Sequence, residues 1–383
     1  MTGVIKSKLM GMSAFWNKRT ANLSPYIPGE QPKEKKIIKL NTNENPYPPS
    51  PKVIEAIEQT LAVTVKNTDS NARGEKLRLY PDPLCTEFRK AVAAAYGVKP
   101  AQVFPGNGSD EVLAFAFGAF FETPSEGESA ETFSILFPDI TYSFYPVYAG
   151  LWNIPYKTVR TGKDFSINPD DYSGDNGGVI IPNPNAPTGR DLPASDLLKL
   201  SRKLEQNNRV LIIDEAYTAF GAQSLVPYIT GYPNLLTVHT LSKSASLAGL
   251  RAGFAIGSEE LIEGLFRVRD SFNSYTMDAL ALAGGKAAVL DKEYYDAVNQ
   301  KVIKTRDTTT IALKAMGFTV IPSKANFLFI MSPGKSGQAL FHALRNKGIL
   351  VRHFNKPDIS DYIRVSIGTD EDMDAFIAAC KLF

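Results

Sequence analysis

Cysteine is nearly missing. Cys85 and Cys380 are the only two in 383 residues. They lie far apart and fit no metal-ligand or redox spacing, which argues against a disulfide framework, a zinc site or a thioredoxin-type motif. No metal is expected, and a reducing, cytoplasmic setting is the simplest expectation. Long apolar runs are also missing, since none approaches the roughly 18 residues that a membrane span requires. The first residues, MTGVIKSKLMGMSAFW, lack the apolar centre of a signal peptide. Charge of one sign is missing too: 42 Lys and Arg against 40 Asp and Glu leave a formal net charge of +2. Nucleic acid therefore finds no electrostatic footprint, and neither nucleic acid nor membrane is an expected partner. No G-x-G-x-x-G follows a first strand, which disfavours a nicotinamide-binding domain. Of the three histidines, His239 sits on an apolar strand and reads as a core residue, while His342 and His353 carry little chemical signal.

What is present is ordinary globular material, 44% hydrophobic and 21% charged, long enough to bury a large core. The first forty residues read as an arm laid over something else. Ser50 to Val63 has helical spacing behind a serine. The middle alternates apolar, β-branched runs (QVFPG, FSILFP, GGVIIPNP, RVLIIDEAY, LLTVHTL) with helical patterns (GSDEVLAFAFGAFF, TYSFYPVYAGLW, PASDLLKLSRKLEQ). That alternation predicts a mostly parallel α/β sheet covered on both faces, with its site at the carboxyl ends of the strands. From about Tyr275 the pattern changes to one long helical stretch and then mixed strands and helices, a separate α+β lobe. The expected division is 1–64 for the arm and part of the small domain, 65–274 for the large domain and 275–383 for the small one.

Four features stand at predicted strand ends. GNGSDEVL opens a helix with Gly106, Gly108, Ser109 and Asp110, where free amides suit a phosphate. By itself it is also an ordinary helix cap. NPNAPTG, from Asn183 to Gly189, is a polar turn with two prolines. LIIDEAY ends a buried strand on Asp214, Glu215 and Tyr217, and a carboxylate there needs a cationic or hydrogen-bonding partner. TLSKSASLAGLR places Lys243 and Arg251 among small and apolar residues, with Thr240 and Ser242 beside them. A lone lysine on a loop is usually a solvated cation, but together the four features fit one ligand. Ser109, Thr240, Ser242 and Arg251 suit a phosphate, Asp214 a protonated ring nitrogen, and Lys243 an aldehyde. Pyridoxal 5′-phosphate has all three.

With these motifs in register over nearly the whole chain, the sequence resembles fold-type I pyridoxal-phosphate aminotransferases, and among them the histidinol-phosphate branch. The likeness also takes in LNTNENPYPPSP from Leu40, YPDP from Tyr80, PDITYSFY from Pro138, ANFLF from Ala325 and YIRVSIGT from Tyr362. The resemblance implies a large domain with a mostly parallel seven-stranded sheet, a smaller α+β domain and an N-terminal arm. It implies that Lys243 bonds the cofactor's aldehyde and then shuttles the proton, and that Asp214 faces the ring nitrogen. Tyr217 would bond the phenolic oxygen, and Tyr142, starting its helix, would stack on the ring. Gly108, Ser109, Asp110, Thr240, Ser242 and Arg251 would surround the phosphate. Tyr80 would reach the phosphate of a neighbouring subunit, implying a homodimer with shared sites. Tyr26, Asn43, Asn326, Arg352 and Arg364 would meet the substrate. The implied reaction moves an amino group between histidinol phosphate and 2-oxoglutarate. An aromatic or broad-specificity aminotransferase, or a threonine-phosphate decarboxylase, shares most of these residues. Two positions depart from the family: Pro48 stands where glycine is common, and Ala186 where an asparagine bonds the phenolic oxygen. Asn183 or Asn185 are the candidates to replace that asparagine.

Overall fold

The computed structural model describes residues 14–31, 37–62 and 74–383. The short strand β1 (Ile38–Lys39) belongs to the arm. The large sheet is built from β2 (Val103–Gly106), β3 (Ile135–Pro138), β4 (Tyr156–Val159), β5 (Gly178–Pro182), β6 (Leu211–Asp214), β7 (Leu235–Thr240) and β8 (Gly253–Ile256). The small lobe holds β9 (Thr319–Val320), β10 (Phe327–Met331), β11 (Ile349–Leu350), β12 (Arg352–His353) and β13 (Tyr362–Ser366).

The seven strands run in the order β2-β8-β7-β6-β5-β3-β4. All are parallel except β8, which is antiparallel to both β2 and β7. The central strands are buried on both faces, and their side chains alternate between two cores. Val179, Ile181, Leu211, Ile213 and Leu235 point into one. Ile180, Ile212, Leu236 and Val238 point into the other. Burial on both faces is why these strands read as continuous apolar runs rather than as alternating ones.

Two strands of the large sheet were not legible in the sequence. β4, YKTV, is a largely exposed edge with little apolar signal. β8, GFAI, is hidden in the segment that follows Lys243. The helical stretch expected after Tyr275 is two helices, Ala279–Leu290 and Lys292–Ala315. The break falls at Asp291, whose backbone leaves the helical region (ψ 54°) and whose carboxylate binds Lys52 Nζ at 2.6 Å and the Ser50 hydroxyl.

The helix Ala279–Leu290 packs on the helices Pro51–Ala62 and Thr86–Tyr96. Met277, Ala281, Ala288 and Tyr295 join the core of the large sheet. Packing therefore crosses the expected division at 275. The small lobe has its own core, which gathers residues from Val302 to Cys380 together with Leu40 and Phe220. Its four-stranded sheet is antiparallel, in the order β12-β13-β10-β9. β1 pairs with β11 in parallel and ties the arm to this lobe. The expected boundary at 64–65 lies outside the described residues, as do Val63 and most of the polar loop after it. Among the described residues no helix is long and apolar enough to cross a membrane.

Candidate active site

A cavity of about 270 Å³ opens between the lobes at the carboxyl ends of β5, β6 and β7, lined by Pro182, Asp214 and Thr240 from those ends. The arm closes one side and β12 and β13 another, through Arg352 and Arg364.

The phosphate end is built on the helix Gly108–Phe120, which starts two residues after β2 ends. Ser109 and Asp110 line the cavity there, at first-turn amides that have no partner within a helix. Gly108 holds φ at +79°, and a Cβ on it would lie 2.6 Å from Arg251 Nη2, so glycine lets the guanidinium close on the cup. Arg251 donates to Ser242 Oγ at 3.3 Å and to Asp110 Oδ2 at 3.1 Å. Asp110 Oδ1 accepts the hydroxyls of Tyr142 at 2.7 Å and Tyr148 at 3.2 Å. Thr240 Oγ1 accepts the Ser242 amide at 3.1 Å.

Asp214 ends β6 with 6% of its surface exposed. Oδ1 accepts the Ala216 amide at 3.1 Å and Oδ2 the Tyr145 hydroxyl at 3.0 Å. Burial raises its pKa to about 6 against the pull of these two donors. Lys243 Nζ lies 3.1 Å from the Thr42 carbonyl. Burial, reinforced by the charge of Arg364, lowers its pKa to about 8, so a neutral amine is within reach near neutral pH. The Tyr217 hydroxyl accepts Asn43 Nδ2 at 2.9 Å.

Sequence reasoning singled out only Asn43 in the NTNENP run, yet the whole run grips the site. The Asn41 carbonyl accepts Arg364 Nη2 at 2.9 Å. Thr42 holds Lys243, and Asn45 Nδ2 donates to the Lys243 carbonyl at 3.0 Å. Glu44 lines the cavity and pairs with Lys39. The signal that could have found them is the run itself, polar groups packed just before an amphipathic helix. Asn43 also holds φ at 56°, pinned by Ser366 Oγ, which accepts its amide at 2.8 Å and donates to its Oδ1 at 3.0 Å.

Arg352 and Arg364 line the cavity on the small-lobe side and stand directly opposite in the β12–β13 register. Burial holds the pKa of Arg364 below its ordinary value, and the charge of Arg352 lowers it further. The Arg364 Nε is buried without a partner. Two facing cations repel, so this side of the cavity calls for an anion. Tyr26 reaches the cavity and stacks on Phe144 at 4.3 Å.

Other expected positions differ from the expectation in placement or in partner. Tyr142 lines the cavity, but it precedes its helix, which spans Tyr145–Trp152. Pro146 near the helix start, with φ preset and no amide to satisfy, fixes the later beginning. Asn183 spends its side chain on the Leu192 backbone, and Asn185 on the Ile140 carbonyl and the Thr141 hydroxyl. Neither lines the cavity, whereas Ala186 does. Asn326 sits behind the wall and donates to the Asn43 carbonyl at 3.0 Å. Tyr80 is 81% exposed, stacked on Tyr275 at 4.5 Å and away from its own chain's cavity. His239 is buried, bonded to Thr237 Oγ1 at 3.0 Å, and burial lowers its pKa to about 3.

A buried carboxylate, a partly desolvated lysine and an anion cup with an arginine fit the ring nitrogen, aldehyde and phosphate of pyridoxal 5′-phosphate. Fold and site together define a pyridoxal-phosphate enzyme. The family model for aminotransferases of class I and II matches residues 35–379, and the chain belongs to that family. It is 52% identical to a histidinol-phosphate aminotransferase of Clostridium acetobutylicum, over 97% of this chain and 99% of that one. It is 47% identical to the protein of that name in Clostridium beijerinckii, over 96% of each. Among solved structures, the histidinol-phosphate aminotransferase of Sinorhizobium meliloti, in complex with pyridoxal-5′-phosphate, has a TM-score of 0.82 at 22% identity. That match covers 97% of this chain and 98% of the other, and it speaks to the fold.

Proposed function

We propose that this aminotransferase takes histidinol phosphate as amino donor and 2-oxoglutarate as acceptor, working as a cytoplasmic homodimer. The observation that carries the substrate reading is the Arg352–Arg364 pair, two facing cations in the cavity wall supplied by the small lobe. An arginine fork binds two oxygens of a phosphate or a carboxylate, so one pair serves both substrates in turn. The names of the relatives support the donor. Two free buried cysteines are compatible with the cytoplasm.

When bound, pyridoxal 5′-phosphate supplies an aldehyde that carries the amino group and a protonated ring that stores electrons. The residues of the chain do the rest. The amides of Ser109 and Asp110, the hydroxyls of Thr240 and Ser242, and Arg251 hold a phosphate. Asp214 keeps a ring nitrogen protonated, and Tyr217 donates to a phenolic oxygen. Ala186 leaves that oxygen without an asparagine from its turn. Lys243, neutral in part near pH 8, would remove the Cα proton and deliver it to the cofactor's aldehyde carbon, two bonds from Cα. The Thr42 carbonyl accepts a hydrogen bond from the freed amine. Arg364 and Arg352 orient the substrate, and Asn43 steadies Tyr217.

The test is a donor screen on purified, cofactor-loaded protein with 2-oxoglutarate, offering histidinol phosphate, phenylalanine and threonine phosphate. Glutamate formed fastest from histidinol phosphate is the expected result. Preference for phenylalanine overturns the donor, and carbon dioxide from threonine phosphate overturns the reaction.

A further inference from the structure

The helix Tyr145–Trp152 and the turn before it present three phenols to two carboxylates. Tyr142 and Tyr148 both donate to Asp110. Tyr145 donates to Asp214 Oδ2 at 3.0 Å. Tyr145 is fully buried, wedged against Phe117 at 6.4 Å and Phe137 at 5.7 Å, with the ring of Tyr142 edge-on at 5.7 Å. A buried phenol that stays protonated has a single hydrogen to give, and here it goes to Asp214. The Ala216 amide takes the other oxygen. Two donors fix the carboxylate in rotation at the cavity wall, which Asp214 lines.

We propose that Tyr145 is a positioning residue for the transamination, holding the Asp214 carboxylate in the orientation that receives the cofactor's protonated ring nitrogen. This rests on the reading of Asp214 as the partner of that nitrogen. A hydrogen bond to a charged group is worth about 1.5–3 kcal/mol, roughly tenfold to a hundredfold in an equilibrium. Without the hydroxyl, Asp214 turns more freely and its anionic form loses a donor. The groups that face Asp214 set the background. Asp110 at the cup and Glu215 next in the chain are acidic, and Tyr148 and Tyr217 are phenols that burial keeps protonated. Tyr145 and the Ala216 amide offset the acidic neighbours.

The experiment compares the wild type with Tyr145→Phe, which keeps the ring and its packing, and with Asp214→Ala. Three quantities are read: the melting temperature of the cofactor-free protein, the dissociation constant of pyridoxal 5′-phosphate, and the pH midpoint of the loaded protein's visible absorption band. Expected for Tyr145→Phe is a dissociation constant about tenfold higher and a displaced pH midpoint, with the fold retained. Asp214→Ala should weaken binding further. Should Tyr145→Phe fail to fold, Tyr145→3-fluorotyrosine keeps the shape with a more acidic hydroxyl and should move the midpoint the opposite way. Wild-type binding and midpoint in Tyr145→Phe, or an unmoved midpoint with 3-fluorotyrosine, alongside weakened binding in Asp214→Ala, overturns the role of Tyr145 alone. Unweakened binding in Asp214→Ala overturns the reading of Asp214 and this inference with it.

Discussion

At the residue scale, Lys243 shows how a site sets its own reactivity. An ammonium here gives up water for the Thr42 carbonyl and faces the charge of Arg364. Its pKa falls from 10.5 to about 8. The sign of the effect on stability follows. Between pH 8 and 10.5 the unfolded chain binds the proton that the folded chain has lost, so stability from this group rises with pH across that window. Below pH 8 the cofactor-free protein carries the full penalty, on the order of 2 kcal/mol after solvent screening. Lys243→Met should therefore stabilise the cofactor-free protein at pH 7, and the gain should shrink as pH climbs toward 10.5. Urea unfolding of both proteins at pH 7 and pH 10 measures it. A gain that stays constant with pH would mean that the lysine is not held at a desolvation cost. The same substitution removes the proton carrier and should abolish turnover.

At the element scale, the site depends on how closely β8 approaches the phosphate cup. Gly253 begins β8, and a Cβ on it would lie 2.6 Å from both the Gly108 carbonyl carbon and the Ser109 amide nitrogen. Backbone cannot swing aside as a flexible side chain can. Gly253→Ala should push the cup outward and cost roughly 1–3 kcal/mol, the usual price of overpacking. Cofactor titration should show weakened binding beyond any fall in melting temperature. Wild-type affinity in a folded variant would contradict a rigid cup. Gly253 also marks where the sequence stopped being informative. The strand ends carrying Asp214 and Thr240 were legible because buried parallel strands leave long apolar runs with polar residues at their tips. β8 was not, because a four-residue antiparallel strand next to an active-site loop has no period of its own. Tyr145 was passed over for a related reason. Its spacing is that of any core aromatic, and only the distance to Asp214 sets it apart. Asn41, Thr42 and Asn45 were missed in part because they act through or upon backbone atoms, which no side-chain pattern records.

At the scale of the whole molecule, one group of exposed apolar residues is concentrated on a short stretch of chain. Leu77, Leu79, Tyr80 and Leu84 stand on one segment of the chain, and Tyr80 stacks on Tyr275 near the exposed Phe272. A strip of this kind is costly to leave in water and suits the interface of the proposed dimer. Tyr80, turned away from its own cavity, belongs in the proposed dimer to a partner's phosphate cup. Complementation separates this from a merely structural tyrosine. Lys243→Ala and Tyr80→Ala chains, each inactive or weakened alone, are mixed and allowed to exchange subunits. In a mixed dimer one site receives both defects, and the other receives an intact lysine and an intact tyrosine. With random exchange half the dimers are mixed, so activity should recover to about a quarter of wild type. Activity no greater than the average of the two parents would place Tyr80 outside the partner's site. A recovered quarter requires that the residues of one cup come from two chains, so dilution below the dimer dissociation constant should release cofactor as well as activity.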